Sequence, residues 1–121
     1  MGKRGFKELL VWQRSKALAV TIYNLSGTGK LSHDFGLRDQ MRRAAVSVCS
    51  NIAEGDERSS GDKEAVRFFH IAKGSLAELI TQLEIAHEIG HIETCAMHDL
   101  EQETTTIAKM LGALIRARSG R

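Results

Sequence analysis

The chain has 121 residues, 42% of them hydrophobic and 26% charged, with a formal net charge of +2. This is an ordinary composition for a soluble globular protein with one core, so we expect a single domain spanning residues 1–121. Two cysteines, Cys49 and Cys95, are too few for a disulfide framework, and no N-terminal apolar stretch could act as a signal peptide or membrane span. We therefore expect a cytoplasmic protein with free thiols and no membrane partner.

Apolar residues recur at helical spacing in four segments, roughly 8–26, 35–54, 62–89 and 96–117. Proline, which interrupts helices, is absent. No segment alternates with the period of two that a strand requires, and connections of about five to nine residues favour antiparallel neighbours. The pattern predicts an all-α fold, an antiparallel up-down four-helix bundle.

Glycines and one acidic residue mark the predicted helix boundaries. We expect Gly27 to end the first helix, Asp34 to cap the second, the second to stop near Gly55, and Gly90 to end the third. The third helix has the clearest apolar stripe, with alternating steps of three and four: Phe69, Ala72, Leu76, Leu79, Leu83 and Ala86. Leu25 on the first helix and Leu114 on the fourth are also expected to face the core.

Three isoleucines on the third helix lie away from its core stripe. Ile71, Ile85 and Ile89 would face water in a monomer, which is unusual for β-branched side chains. We predict that they are buried against another copy of the chain in a homo-oligomer.

The segment His87-Glu88-Ile89-Gly90-His91 matches H-E-x-x-H, the zinc-protease motif. Two hypotheses follow: a zinc-dependent hydrolase using His87, Glu88 and His91, or a structural or adventitious metal held by His87, His91, Cys95 and His98. We expect neither a metal nor another cofactor, because Gly90 suits a helix end and no third zinc ligand follows at the required spacing. The chain is therefore predicted to have no catalytic residues.

Basic residues are concentrated in the first half of the chain, where their spacing could follow a phosphate backbone. The alternative is that they pair within the fold, for example Arg43 with Asp39. Since no aromatic residues interleave with the arginines along the sequence, base stacking is not predicted. The candidate nucleic-acid-binding residues are Lys3, Arg4, Lys7, Arg14, Lys16, Arg38, Arg42 and Arg43.

Short polar residues lie along the edge of the apolar stripe on the second helix and on the facing side of the third. Such groups often hydrogen-bond between helices and fix their register. We interpret them as a structural polar network: Gln40, Ser47, Asn51, Glu54, Ser75, Glu78 and Gln82.

Four segments resemble the four-helix-bundle proteins encoded in intervening sequences of bacterial 23S ribosomal RNA genes. They are Phe6–Gln13, Gln40–Val48, Asn51–Gly55 and Ala72–Leu83. The resemblance spans about residues 6–117 and implies a homopentameric ring of antiparallel bundles. A more distant relative, the accessory protein of diversity-generating retroelements, is a basic pentamer that contacts nucleic acid and a reverse transcriptase.

The resemblance places Arg42 and Arg43 in a matching motif without establishing them as ligands. Cys49 stands where the family usually has proline, which implies a straighter second helix. Together, the residues and the resemblance predict a non-enzymatic homo-oligomer that binds RNA, DNA or a nucleic-acid-processing protein electrostatically. The alternative is a protein-interaction scaffold without nucleic-acid binding.

Overall fold

Four helices make up most of the protein. The computed structural model describes residues 5–57 and 61–120, and places α1 at Leu10–Ser26, α2 at Phe35–Glu57, α3 at Asp62–Glu88 and α4 at Thr94–Ser119. Short 3₁₀ segments precede α1 and α2, at Gly5–Glu8 and Lys30–His33. These two ranges contain no strand, and the predicted all-α class is confirmed.

Helices that follow each other in the chain pack side by side, and α4 also contacts α1. Ser26 at the end of α1 lies against Arg42 on α2, whereas Gly5, which precedes α1, lies beside Glu57 at the end of α2. The start of the α1 segment therefore lies beside the end of α2, and the end of α1 lies beside the first half of α2. This is the order of contacts expected for an antiparallel pair. Within the described ranges, none of the helices has both the length and the apolar character needed to cross a bilayer.

The predicted apolar stripes form the core. Every member of the α3 stripe is buried, and Phe69, Leu79 and Leu83 are at most 1% exposed. Leu25 and Leu114, by contrast, are only partly buried and pack at the edge of the core. Periodicity thus locates the inward faces of the helices. The residues that it places in the core but that are only partly buried lie at the edges of those faces.

The predicted stop near Gly55 is within two residues of the end of α2, but Gly55 itself lies inside the helix and does not cap it. A Cβ atom at Gly55 would lie 2.9 Å from both Phe68 Cβ and Phe69 Cε1, and 3.0 Å from the carbonyl oxygen of Ala65. Glycine is present because α2 and α3 approach each other too closely here for a side chain. Helix α2 continues for two more residues, to Glu57.

The other helix boundaries depend on local hydrogen bonds. The Asp34 carboxylate accepts a long, 3.4 Å hydrogen bond from the Leu37 backbone amide, as expected of an N-cap. At the end of α3, Gly90 has a φ of +84°, and the next amide, that of His91, donates to the carbonyl of Ala86 over 2.8 Å. This is the Schellman arrangement, in which a glycine in left-handed conformation stops the helix.

Candidate nucleic-acid interface

The described candidate cations lie on two neighbouring helices and the segment before them. Lys7 precedes α1, and Arg14 and Lys16 are on α1; Arg38, Arg42 and Arg43 are on α2. Lys3 and Arg4 lie outside the described residues. Because α1 packs against α2, Arg42 lies next to α1, whereas Arg14 faces α4 and Arg43 lines the groove between α2 and α3.

Arg14 is engaged within the fold. Its Nε and Nη2 atoms donate to the two carboxylate oxygens of Glu103 on α4, over 3.0 and 2.7 Å. The Arg14 hydrogen bond lowers the pKa of Glu103, although partial burial opposes this, and the same bond raises the pKa of Arg14. This two-pronged ion pair joins α1 to α4 and offsets the charge of Arg14, so Arg14 is a weaker candidate for a phosphate contact than an unpaired cation.

Two of the arginines on α2 lie over aromatic rings. The Arg42 guanidinium carbon is 4.6 Å from the centre of the Tyr23 ring, and its Nε donates to Ser26 Oγ over 2.7 Å. The Arg38 guanidinium carbon is 4.8 Å from the centre of the Phe35 ring. The expectation that aromatic residues do not interleave with the arginines is therefore wrong. Tyr23 reaches Arg42 from the neighbouring helix, and Phe35 lies three residues before Arg38 on α2 itself.

The remaining cations are exposed. Lys7, Lys16 and Arg43 all have exposed side chains, and the Lys16 ammonium lies 5.2 Å from the centre of the Trp12 ring. The carboxylate of Asp39, the alternative partner for Arg43, instead accepts a 2.9 Å hydrogen bond from Arg38 Nε. Lys7, Lys16 and Arg43 are thus the described candidates best placed to meet an incoming anion.

Three members of the predicted polar network meet between α2 and α3. The Ser47 and Ser75 hydroxyl oxygens are 2.7 Å apart, and Asn51 Nδ2 donates to Ser47 Oγ over 3.0 Å. The other members are arranged differently: Gln40, Glu78 and Gln82 line a groove beside this cluster, and Glu54 lies further along α2. The cluster links two helices and contains no nucleophile–base pair, so its geometry is that of a structural contact.

The two histidines of the H-E-x-x-H segment have different partners. His87 is the last histidine of α3 and lies 3.3 Å from Thr94 Oγ1, whereas His91 lies beyond the helix end, 3.2 Å from Asp34 Oδ2. A zinc motif needs both on one helical face, one turn apart. In residues 5–57 and 61–120, no group of three or more His, Cys, Asp or Glu residues is placed to hold a metal ion.

Three exposed isoleucines lie along α3 and its C-cap, and we call them the isoleucine strip: Ile85 and Ile89 are one turn apart, and Ile71 is about 21 Å further back along the helix. Their exposed fractions are 41% for Ile71, 48% for Ile85 and 52% for Ile89. Ile85 also borders the groove between α2 and α3, whose walls include the small residues Gly74 and Ala77. The described part of the chain leaves this strip open to solvent.

The comparisons with known proteins identify the family. A family model described as 23S rRNA-intervening sequence protein matches residues 7–113, which include most of all four helices. The chain belongs to this family. The predicted resemblance is therefore confirmed, and it covers α1 and α2, where the described candidate cations lie.

A solved structure supports the fold of this family member. The chain is similar to a protein of unknown function from the S23 ribosomal protein family of Bacteroides thetaiotaomicron, with a TM-score of 0.80 and 23% sequence identity. The match covers 88% of this chain and 99% of that one. No curated protein matches the chain. At this identity the likeness establishes the fold, and neither description names a catalytic activity.

Proposed function

We propose that this chain is a non-enzymatic subunit of a homo-oligomer, a ring of five copies, whose α1–α2 side binds nucleic acid electrostatically. The observation that carries the proposal is the segregation of charge. Residues 1–55, which contain α1 and most of α2, have nine Lys or Arg and four Asp or Glu. Residues 56–121, which contain α3 and α4, have eight Lys or Arg and eleven Asp or Glu.

This segregation gives the bundle two electrostatically different sides, since α1 packs on α2 and α3 packs on α4. A polyanion is attracted to the first side and repelled by the second. Lys7 and Lys16 are exposed on the attractive side, and Arg43 is exposed at the other edge of α2, in the groove toward α3. Contacts of this kind recognise phosphates and not base identity, so we expect weak sequence preference and strong salt dependence.

Oligomerisation is supported by the isoleucine strip on α3. All three side chains are β-branched and at least 41% exposed, and covering them with another chain would remove apolar surface from water. The number five comes from the family resemblance. A ring would repeat the basic side in every copy, so a long nucleic acid could contact several copies at once.

Nucleic-acid binding can be tested by fluorescence anisotropy of labelled RNA and DNA, single-stranded and duplex, over a salt series. Lys7→Glu plus Lys16→Glu should weaken binding and reduce the salt slope by about one for each phosphate that the variant no longer neutralises. The matched control is Lys73→Glu plus Lys109→Glu, which reverses two exposed charges on α3 and α4 and should have little effect. Absence of binding to every probe at low salt would refute the electrostatic function and leave a protein-interaction scaffold.

Assembly can be tested separately by light scattering, since the chain mass is 13.4 kDa. We expect five copies for the natural chain and a lower mass for Ile85→Ser plus Ile89→Ser. Val20→Ser is the control, because Val20 is 54% exposed on α1 and lies off the isoleucine strip. A monomer at all concentrations would show that the strip does not mediate assembly.

A further inference from the structure

Two exposed aromatic rings lie where α1 ends and α2 begins. Tyr23 is 46% exposed and Phe35 is 61% exposed, although the chain has only six aromatic residues with which to build its core. Large rings usually contribute to stability by leaving water. Phe69, by contrast, is completely buried in the core. Packing within the chain therefore accounts for the position of Phe69 but not for the exposed rings of Tyr23 and Phe35.

Each of these rings is paired with a guanidinium group that is itself held in place. Arg42 stacks on Tyr23 and is fixed by its 2.7 Å bond to Ser26 Oγ. Arg38 stacks on Phe35 while its Nη1 donates to the carbonyl of Ser32 over 3.2 Å. Because hydrogen bonds hold both guanidinium groups beside the rings, their positions are ordered before any ligand arrives, which reduces the entropy cost of binding.

The two stacks are neighbours on α2. Arg38 and Arg42 are four residues apart, so they lie one helical turn apart on the same face, about 6 Å between Cβ atoms. Phe35 extends this row toward the start of α2, and Tyr23 enters from α1. We call these four residues the aromatic–guanidinium platform: Tyr23, Phe35, Arg38 and Arg42.

We propose that the aromatic–guanidinium platform binds single-stranded nucleic acid, with unpaired bases stacking on its rings and guanidinium planes. This inference rests on the proposed nucleic-acid function and specifies its ligand. Every base has a flat π face whatever its identity, but in a duplex those faces are covered by neighbouring bases. A charged surface alone would not select single-stranded over duplex nucleic acid by this means. Exposed rings beside cations favour the single strand, because its bases are free to stack on them.

The charges around the platform are consistent with a polyanionic ligand. Residues 23–43 contain four Lys or Arg and two Asp. Of the two acids, Asp34 contacts the Leu37 amide and His91, and Asp39 contacts Arg38. Replacing Asp39 with Asn would free Arg38 from its ion pair, so Asp39→Asn should tighten single-strand binding severalfold.

The experiment compares a fluorescein-labelled oligouridylate with an RNA duplex of equal length by anisotropy at one low salt concentration. Tyr23→Ala plus Phe35→Ala should weaken single-strand binding by at least tenfold and leave duplex binding nearly unchanged, since each stacked base contributes substantially. Tyr23→Phe keeps the ring and should bind as the natural chain does. Leu10→Ala is the matched control, because Leu10 is 58% exposed and lies outside the platform.

The possible outcomes separate the two proposals. Equal binding of single strand and duplex, with no effect of the double alanine variant, would overturn the platform and leave electrostatic binding intact. No binding of either probe by the natural chain would remove both. The native mass of the double variant should equal that of the natural chain, and a lower mass would overturn the platform by showing that the rings are covered by another copy.

Discussion

Replacing Gly55 with alanine tests a very close approach between two helices of the fold. The new Cβ would meet Phe68 Cβ at 2.9 Å and the carbonyl oxygen of Ala65 at 3.0 Å. Neither atom can rotate away, since one is fixed to the α3 backbone and the other belongs to it. The helices must therefore separate, and overpacking of this kind costs about 3 kcal/mol at its upper range.

Alanine also favours the helix over glycine by about 1 kcal/mol, so we expect a net destabilisation of about 2 kcal/mol for Gly55→Ala. The melting temperature should fall by about 8 °C. Gly112→Ala on α4 is the control, because its Cβ would have only the mobile Arg116 Nη1 nearby, at 3.5 Å, and should stabilise the chain. Both are measured by urea and thermal unfolding at one protein concentration, since assembly makes stability concentration-dependent. If Gly55→Ala were as stabilising as Gly112→Ala, the close approach would be refuted.

Other substitutions test individual polar contacts by urea unfolding. Ser15→Ala should stabilise the fold by up to about 1 kcal/mol, because its fully buried hydroxyl has no hydrogen-bond partner among the described residues. Ser75→Ala removes a 2.7 Å inter-helix hydrogen bond and should lower the free energy of unfolding by about 1 kcal/mol. If Ser75→Ala were instead more stable than Ser15→Ala, both interpretations would be refuted. Glu103→Gln should destabilise the fold at pH 7. Since Arg14 lowers the pKa of Glu103 below its usual 4.5, the natural pair contributes fully above about pH 4.5, and its contribution fades as pH falls through the lowered value. A difference between Glu103→Gln and the natural chain that persisted unchanged at about pH 2 would contradict the ion-pair explanation.

The helices can be predicted from the sequence because burying one side of a helix requires apolar residues every three or four positions, and this spacing is undisturbed along α3. On α3, the steps of three and four from Phe69 to Ala86 correspond to positions that are all buried in the structure. Gly90 is also predicted correctly as a helix end, since the polar segment after it agrees with a stop. Where the apolar period and the boundary residue indicate the same helix end, a single sequence is sufficient to predict that end.

Gly55 shows where this reasoning fails. A glycine near a predicted helix end is equally suited to a left-handed cap or to close helix packing, and only the position of α3 distinguishes them. Tyr23 and Arg42 fail for the same reason, because nineteen residues separate them and only the packing of α1 on α2 makes them neighbours. In contrast, the Phe35–Arg38 pair could have been predicted from its helical spacing of three.

The two proposed surfaces lie on different parts of the bundle, which makes their relationship testable. Helices α1 and α3 both pack on α2 and α4, so they occupy opposite corners. Assembly through the α3 isoleucines would therefore leave α1 and the part of α2 that faces it accessible in every copy, whereas Arg43 lies in the groove beside Ile85. If long nucleic acids bind by contacting several copies, Ile85→Ser plus Ile89→Ser should weaken binding of a long single strand by tenfold or more, without changing any charge. Binding of a strand short enough for one subunit should be unchanged, because its contacts all lie within one copy. Equal weakening for long and short strands would show instead that the isoleucine face itself contacts the ligand, and no weakening for either would show that the copies bind independently.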